Sequence, residues 1–242
     1  MQRLYVEADL SARAPIAATP EHANYLLNVL RLKPGASILL FNGRDGEWRA
    51  EIAVPAKRVC SLIIAEQTRA QHDGPDLHYL FAPLKRARTD YMIEKATELG
   101  AARLRPVMTR YTQAERVNLE RMRANAIEAA EQCGILRIPE IGEPRKLEPI
   151  LSTWDPARGL VFCDEAAEVA SPVEALAGWS FAQSPSLAVL IGPEGGFAPA
   201  ERELLLSKPF VIRIAMGPRI MRADTAAIAA LTLVNAVLGD WR

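Results

Sequence analysis

Two short loops of glycine, proline and charge, about twenty residues apart near the C-terminus, constrain this chain more than any other feature. The first, Ile191-Gly192-Pro193-Glu194-Gly195-Gly196-Phe197, follows the apolar run Leu187 to Leu190. The second, Gly217-Pro218-Arg219-Ile220-Met221-Arg222-Ala223-Asp224-Thr225, follows a predicted strand at Phe210–Ala215 and leads into an alanine-rich helix ending near Leu238. Each reads as a buried strand that stops in a loop before a helix begins. In open α/β sheets such loops gather outside the carboxyl ends of the strands, where ligands bind. Two of them close in sequence predict one pocket with two walls.

From Leu77 the chain alternates strand and helix, the rhythm of a mainly parallel sheet. Strands are predicted at Leu77–Ala82, Arg103–Met108, Gly159–Cys163 and Leu187–Ile191, besides Phe210–Ala215. Helices are predicted near Asp90–Leu99, Arg116–Gln132, Pro172–Ala177, Pro199–Ser207 and Thr225–Leu238, with Gly100 at a C-cap position and Thr225 as a candidate N-cap. Residues 1–70 have a different pattern. Arg3–Glu7, Ser37–Phe41, Glu47–Val54 and Val59–Glu66 read as strands, and Asn42-Gly43-Arg44-Asp45-Gly46 as a hairpin-type turn. One helix starts at Thr19-Pro20, runs through Tyr25, Leu26, Val29 and Leu30 and stops before Pro34-Gly35. The expectation is a small β-barrel domain over 1–70, a linker around Thr68–Asp76, and an α/β domain over 74–242.

With half of its 242 residues apolar, the chain can bury a sizeable core. No apolar stretch approaches the roughly 20 residues that span a bilayer. Met1-Gln2-Arg3-Leu4-Tyr5 lacks the apolar core of a secretory leader. Cys60, Cys133 and Cys163 are odd in number and widely spaced, which fits reduced, buried thiols of a cytoplasmic protein better than disulfides. His22, His72 and His78 have no metal-ligand spacing, so no metal is expected.

The formal net charge is zero, but it is unevenly spread. Lys85, Arg86, Arg88, Lys95, Arg103, Arg105, Arg110, Arg116, Arg121 and Arg123 face only Asp90, Glu94, Glu98, Glu115 and Glu120 between positions 85 and 123. Ten positive and five negative charges leave +5 there and −5 elsewhere. A local positive surface is what phosphate binding requires. The same segment also fits solvated helices with internal ion pairs. The loop Gly192–Gly196 matches neither a P-loop nor a GxGxxG fingerprint, although its glycines allow close backbone approach to a ligand. On local chemistry Asp224 suits a helix N-terminus, and Glu94 with Glu98 suits a charged helix face.

Four motifs then carry a resemblance: Lys95-Ala96-Thr97-Glu98-Leu99-Gly100; Glu131-Gln132-Cys133-Gly134 followed by Arg137-Ile138-Pro139-Glu140; the Ile191–Phe197 loop; and Gly217-Pro218-Arg219-Ile220-Met221-Arg222-Ala223-Asp224-Thr225-Ala226-Ala227. In this order and spacing they resemble the RsmE family, bacterial 16S ribosomal RNA uridine-N3 methyltransferases of the SPOUT class. His22, Val29-Leu30-Arg31 and Gly35 resemble the PUA-like RNA-binding domain of that family. The resemblance covers nearly the whole chain. It implies a C-terminal domain with a trefoil-knotted, mainly parallel sheet and helices on both faces, beside a PUA-like β-barrel.

It also implies S-adenosylmethionine as cofactor, a homodimer, and the small ribosomal subunit with its 16S rRNA as partner. By family analogy the cofactor residues are Phe162, Cys163, Asp164, Ile191, Gly192, Gly196, Met216, Gly217, Ile220, Met221 and Arg222. Arg222 would stabilise the uridine anion, Asp224 or Glu98 would accept its N3 proton, and Arg31, Lys33, Lys85, Arg86 and Arg88 would grip RNA phosphates. Three positions depart from the family pattern. Asp224 replaces the usual Glu of Arg-Thr-Glu-Thr, Ile135 stands in place of an arginine after Glu-Gln-x-Gly, and Tyr111 in place of an arginine beside Arg110. The alternatives are a methyltransferase acting on another rRNA or tRNA nucleotide, and a non-catalytic RNA-binding assembly protein.

Overall fold

A computed structural model describes residues 1–56, 59–114, 116–167, 171–179 and 186–241. The chain divides into two compact units, Met1–Asp73 with Ala130–Arg137, and Gly74–Ala129 with Ile138–Arg242.

The first unit contains β1 (Arg3–Tyr5), β2 (Pro15–Ala17), α1 (Pro20–Asn24), β3 (Ser37–Phe41), β4 (Glu47–Ala56) and β5 (Val59–Arg69). They form one curled sheet in the order β1-β3-β4-β5-β2, with β1 parallel to β3 and the other pairs antiparallel. Alternate residues point inward. Leu4, Ile38, Leu40, Ala50, Ile52, Leu62 and Ile64 pack around Leu26 in a core of their own. Thr19 caps α1 by accepting the His22 N–H, and Pro20 fills the first helical position as expected. The helix then widens into a π-helical turn, Tyr25–Val29. The Asn42 side-chain oxygen accepts the N–H groups of Arg44 and Asp45, which fixes the turn between β3 and β4.

A buried ion pair closes this unit. Glu47 is only 4% exposed, 2.7 Å from Arg3 and 2.6 Å from Arg69. Burial pushes its carboxyl up, but hydrogen bonds from Arg69, Arg3 and Thr68 outweigh that and hold it at about 2. Arg3 also donates to the carbonyls of Ala130 and Ile135, so Ala130–Arg137 groups with the first unit although it lies far along the chain.

The second unit is a parallel sheet built from β6 (Leu77–Phe81), β7 (Arg103–Met108), β8 (Glu140–Ile141), β9 (Arg145–Lys146), β10 (Gly159–Cys163), β11 (Leu187–Ile191) and β12 (Val211–Ile214). The order is β12-β10-β11-β6-β7-β8, with β9 also paired to β7. Its helices are α2 (Arg86–Glu98), α3 (Leu119–Cys133, whose residues from Ala130 on belong to the first unit), α4 (Leu147–Ser152), α5 (Pro172–Ala177), α6 (Pro199–Leu206) and α7 (Ala223–Val237). The period-two alternation of the strands assigns their side chains to two cores. Leu77, Tyr79, Phe81, Val161, Val189 and Ile214 meet α2, α5 and α7 on one face. Leu80, Leu160, Phe162, Ala188 and Leu190 meet α4 and α6 on the other. In α7 the inward set Ala223, Ala227, Ala230, Leu231 and Val234 has helical spacing, and its small residues bring the helix close to the sheet.

Several boundaries differ from the sequence expectation. β5 runs on to Arg69 into the predicted linker. α2 starts at Arg86 rather than Asp90. The third helix starts at Leu119, because Asn118 accepts the Arg121 N–H and caps it. α7 begins at Ala223, so Thr225 is not its cap; the Asp224 carboxylate accepts the Thr225 N–H instead. The sequence reading missed α4, β8 and β9, whose two-residue strands are too short to show a period. Of the three cysteines expected to be buried, Cys60 is, whereas Cys163 is half-buried and Cys133 exposed.

Candidate active site

The carboxyl ends of β10, β11 and β12 open into one cavity. Its walls are Cys163 to Ala166 after β10, Ile191 to Glu194 with Gly196 and Phe197 after β11, and Met216 to Met221 after β12; Arg202, Ala223 and Ala226 complete it. Both glycine loops therefore line the same space, one on either side of the Cys163–Ala166 segment, because β10 lies between β11 and β12 in the sheet.

Each loop is shaped by its glycines. A Cβ on Gly192 would sit 2.5 Å from the Phe197 ring, so only glycine lets that ring fold back under the loop. Phe197 in turn packs edge-on against buried Phe162, with ring centroids 5.1 Å apart. Gly196 and Gly217 take φ of +70° and +93°, the left-handed region that favours glycine.

Asp164 forms the charged corner of the cavity. It is 5% exposed and held by Arg202 at 3.0 Å and Arg213 at 2.7 Å. Burial raises its carboxyl, yet the hydrogen bonds from Arg202, the Ala166 N–H and Arg213 together pull it below its ordinary value. Burial pushes the neighbouring Cys163 thiol up to about 12, which leaves it a protonated, weakly nucleophilic wall. On the rim Arg88 pairs with Glu194 and lies 3.8 Å from Asp224, so one guanidinium ties the first glycine loop to the first turn of α7. Among the described residues no group of three or more His, Cys, Asp or Glu stands close enough to hold a metal ion.

A family model described as an RNA methyltransferase domain matches residues 72–235, and one described as an RNA methyltransferase PUA domain matches residues 19–64. A curated protein of Rickettsia conorii, ribosomal RNA small subunit methyltransferase E, is 32% identical over 96% of this chain and 94% of its own length. The chain belongs to this RNA methyltransferase family. The Bacillus subtilis protein of the same name is 26% identical over 97% of this chain and 96% of its own. A methyltransferase from Legionella pneumophila, solved in complex with the bound cofactor SAM, superposes with a TM-score of 0.82 at 28% identity and covers 97% of this chain and 96% of its own. The fold is accordingly that of the SPOUT methyltransferases, with a separate PUA-like N-terminal unit.

Within this family member, the sequence-predicted cofactor residues Cys163, Asp164, Ile191, Gly192, Gly196, Met216, Gly217, Ile220 and Met221 all line the cavity. Phe162 lies beneath it, fully buried. Arg222 is exposed at the N-cap of α7, between the lining residues Met221 and Ala223. Asp224 is near Arg88, but Glu98 is not brought to either of them. It pairs with Lys95 at 2.6 Å near the far end of α2, ten residues beyond Arg88 and so about 15 Å along the helix. Lys85, Arg86, Arg31 and Lys33 are exposed, whereas Arg88 is already engaged by carboxylates.

Sequence reasoning missed the two arginines that fix Asp164. Arg213 had a signal, a lone charge in an otherwise apolar strand. Arg202 had none, because its contact spans 38 positions.

Proposed function

We propose that this protein transfers the methyl group of S-adenosylmethionine to N3 of a uridine in the 16S rRNA of the small ribosomal subunit. The observation that carries the reading is the convergence of both glycine loops and the Cys163-Asp164 corner on one cavity, in a chain of this family. The residues present fit the cofactor. Ile191, Phe197, Met216 and Met221 offer apolar walls for a flat adenine, and Gly192 and Gly217 leave main-chain groups accessible to its polar edge. Glu165 supplies negative charge for a cationic ligand. When bound, S-adenosylmethionine supplies an electrophilic methyl group on a positively charged sulfur.

The remaining chemistry falls to the chain itself. Uridine N3–H is a weak acid, and its lone pair becomes available as the proton leaves. The Arg222 guanidinium stays charged, and donates to the carbonyl oxygen beside N3 as negative charge develops there. Asp224, two residues on, accepts the proton directly or through a water. Glu98 takes that role only where a second copy of the chain brings it to the cavity, since within one chain it stands at the other end of α2. We read the protein as a cytoplasmic homodimer. Residues 1–70 act as the PUA-like RNA-binding domain, with Arg31 and Lys33 on phosphates, and residues 74–242 as the knotted methyltransferase domain, with Lys85 and Arg86 at its RNA-facing edge. Arg88 has a different part: it orders the rim by bridging Glu194 and Asp224.

The test is incubation with labelled S-adenosylmethionine and small subunits lacking the modification, followed by mass spectrometry of digested rRNA. Label at N3 of one uridine is the expected result. Label on another nucleotide overturns the substrate, and absence of cofactor binding overturns the enzyme reading.

A further inference from the structure

The turn that follows β7 holds an aromatic side chain that the core does not use. Tyr111 is 46% exposed, and its hydroxyl makes no hydrogen bond among the described residues. The turn beneath it is nevertheless rigidly built. The Thr109 N–H donates to the Thr112 hydroxyl at 2.9 Å, the two threonine hydroxyls are 2.9 Å apart, and the Thr112 N–H returns to the Thr109 carbonyl at 3.2 Å. The Arg110 N–H donates to Glu201 at 2.8 Å, and the other oxygen of Glu201 accepts the Ala198 N–H at 3.0 Å. One carboxylate thus joins the Tyr111 turn to the segment leaving the first glycine loop.

The contact with that loop is direct. A Cβ on Gly195 would lie 3.3 Å from the Tyr111 Cβ, closer than an ordinary contact, so glycine lets the two backbones approach. Arg110, Tyr111, Thr112, Gln113 and Gly195 line a shallow recess, and the next residue, Gly196, lines the cavity. The recess therefore offers an aromatic face, an exposed guanidinium, an exposed side-chain amide and bare backbone, one residue from the reaction site. That combination suits an unpaired nucleobase: the face stacks on the base, the amide reaches its edge, and the guanidinium meets the adjoining phosphate.

We propose that Tyr111 is a stacking platform for an unpaired base of the RNA substrate, the neighbour of the base that enters the cavity. This rests on the RNA methylation proposed above. Stacking holds the strand so that the adjacent base, once out of its own stack, presents N3 to the cavity. The ring, rather than the hydroxyl, supplies the interaction.

The test compares Tyr111→Ala, Tyr111→Phe and Tyr111→Trp in methylation of small subunits lacking the modification, with S-adenosylmethionine affinity measured separately. Tyr111→Ala is expected to raise KM for the subunit about tenfold or more while kcat and cofactor affinity stay near wild type, with both aromatic variants close to wild type. An unchanged KM in Tyr111→Ala overturns the proposal. So does a Phe variant as impaired as the Ala variant, or a parallel loss of cofactor binding. A second arm does not depend on turnover. A single-stranded uridine oligonucleotide is added to Tyr111→Trp, with its binding followed by anisotropy. Quenching beyond that of the wild-type tryptophans supports the platform; no binding, or binding without quenching, overturns it. A wild type that methylates no RNA but a variant that quenches would sink the methylation reading and keep the platform.

Discussion

Gly192→Ala makes a sharp test of the cavity, because the structure states what the added methyl would meet. The new Cβ would fall 2.5, 3.0 and 3.1 Å from three atoms of the Phe197 ring. Gly192 does not have a positive φ, so alanine can take its backbone conformation, and the whole effect is steric. The ring cannot retreat inward, since Phe162 stands 5.1 Å behind it and is fully buried. It must swing outward into the cavity or lift the loop. Overpacking of this kind costs about 1–3 kcal/mol. Loss of the edge-on ring pair accounts for about 0.5–1.5 kcal/mol of that. At about 2–4 °C per kcal/mol for a chain of this size, Tm should fall by about 2–12 °C. Phe197 and Gly192 both line the cavity, so the same displacement should raise the Kd for S-adenosylmethionine tenfold or more. Thermal melts and calorimetric titration read both quantities. A double-mutant cycle with Phe197→Leu should show coupling of about 1 kcal/mol or more, because the smaller side chain makes room for the methyl. If Gly192→Ala melts and binds like wild type, or if the two substitutions add without coupling, the clash argument is wrong.

Three further outcomes are expected. Arg222→Ala should abolish methylation while the melting curve stays close to wild type, because Arg222 is an exposed cap residue; near-normal turnover would remove it from the mechanism. Glu47 gives the first unit an acid-sensitive element. Its carboxyl, ordinarily at 4.5, is held at about 2 when folded, so its contribution is complete above about pH 4.5 and is lost as pH falls towards 2. Glu47→Gln should flatten that part of the stability-against-pH curve, and should destabilise by about 3–5 kcal/mol at neutral pH by leaving Arg3 buried without its partner. Asp164→Ala should strand Arg202 and Arg213 at the cavity corner and lower both Tm and cofactor affinity; Asp164→Asn, which keeps the hydrogen-bond acceptor, should do so less.

The two glycine loops were legible in the sequence because glycine, proline and an abrupt end of apolar alternation are local signals. The family resemblance, not those local signals, named eleven cofactor residues; nine of them line the cavity, and the two that do not, Phe162 and Arg222, are chain neighbours of residues that do. The proposed proton acceptor was not legible in the same way. Asp224 and Glu98 looked equivalent as carboxylates near helix ends, and only the packing of α2 against α7 shows that Arg88, not Glu98, reaches the first turn of α7. Arg88 itself looked like one more phosphate ligand in a basic run, and its two carboxylate partners lie more than a hundred positions away.

By itself, the sequence determined the strand–helix alternation, the period-two and helical apolar faces, the α1 cap and the two glycine turns. All of these depend on residues within a few positions of one another, where backbone sterics and local hydrogen bonds decide. The tertiary structure alone decided the strand order that brings β10, β11 and β12 together, the paired arginines on Asp164, the Arg88 bridge and the seat of Tyr111 against Gly195. Those depend on which elements become neighbours. That choice is made by burying both faces of one sheet at once, a property of the whole unit that no short window of sequence carries.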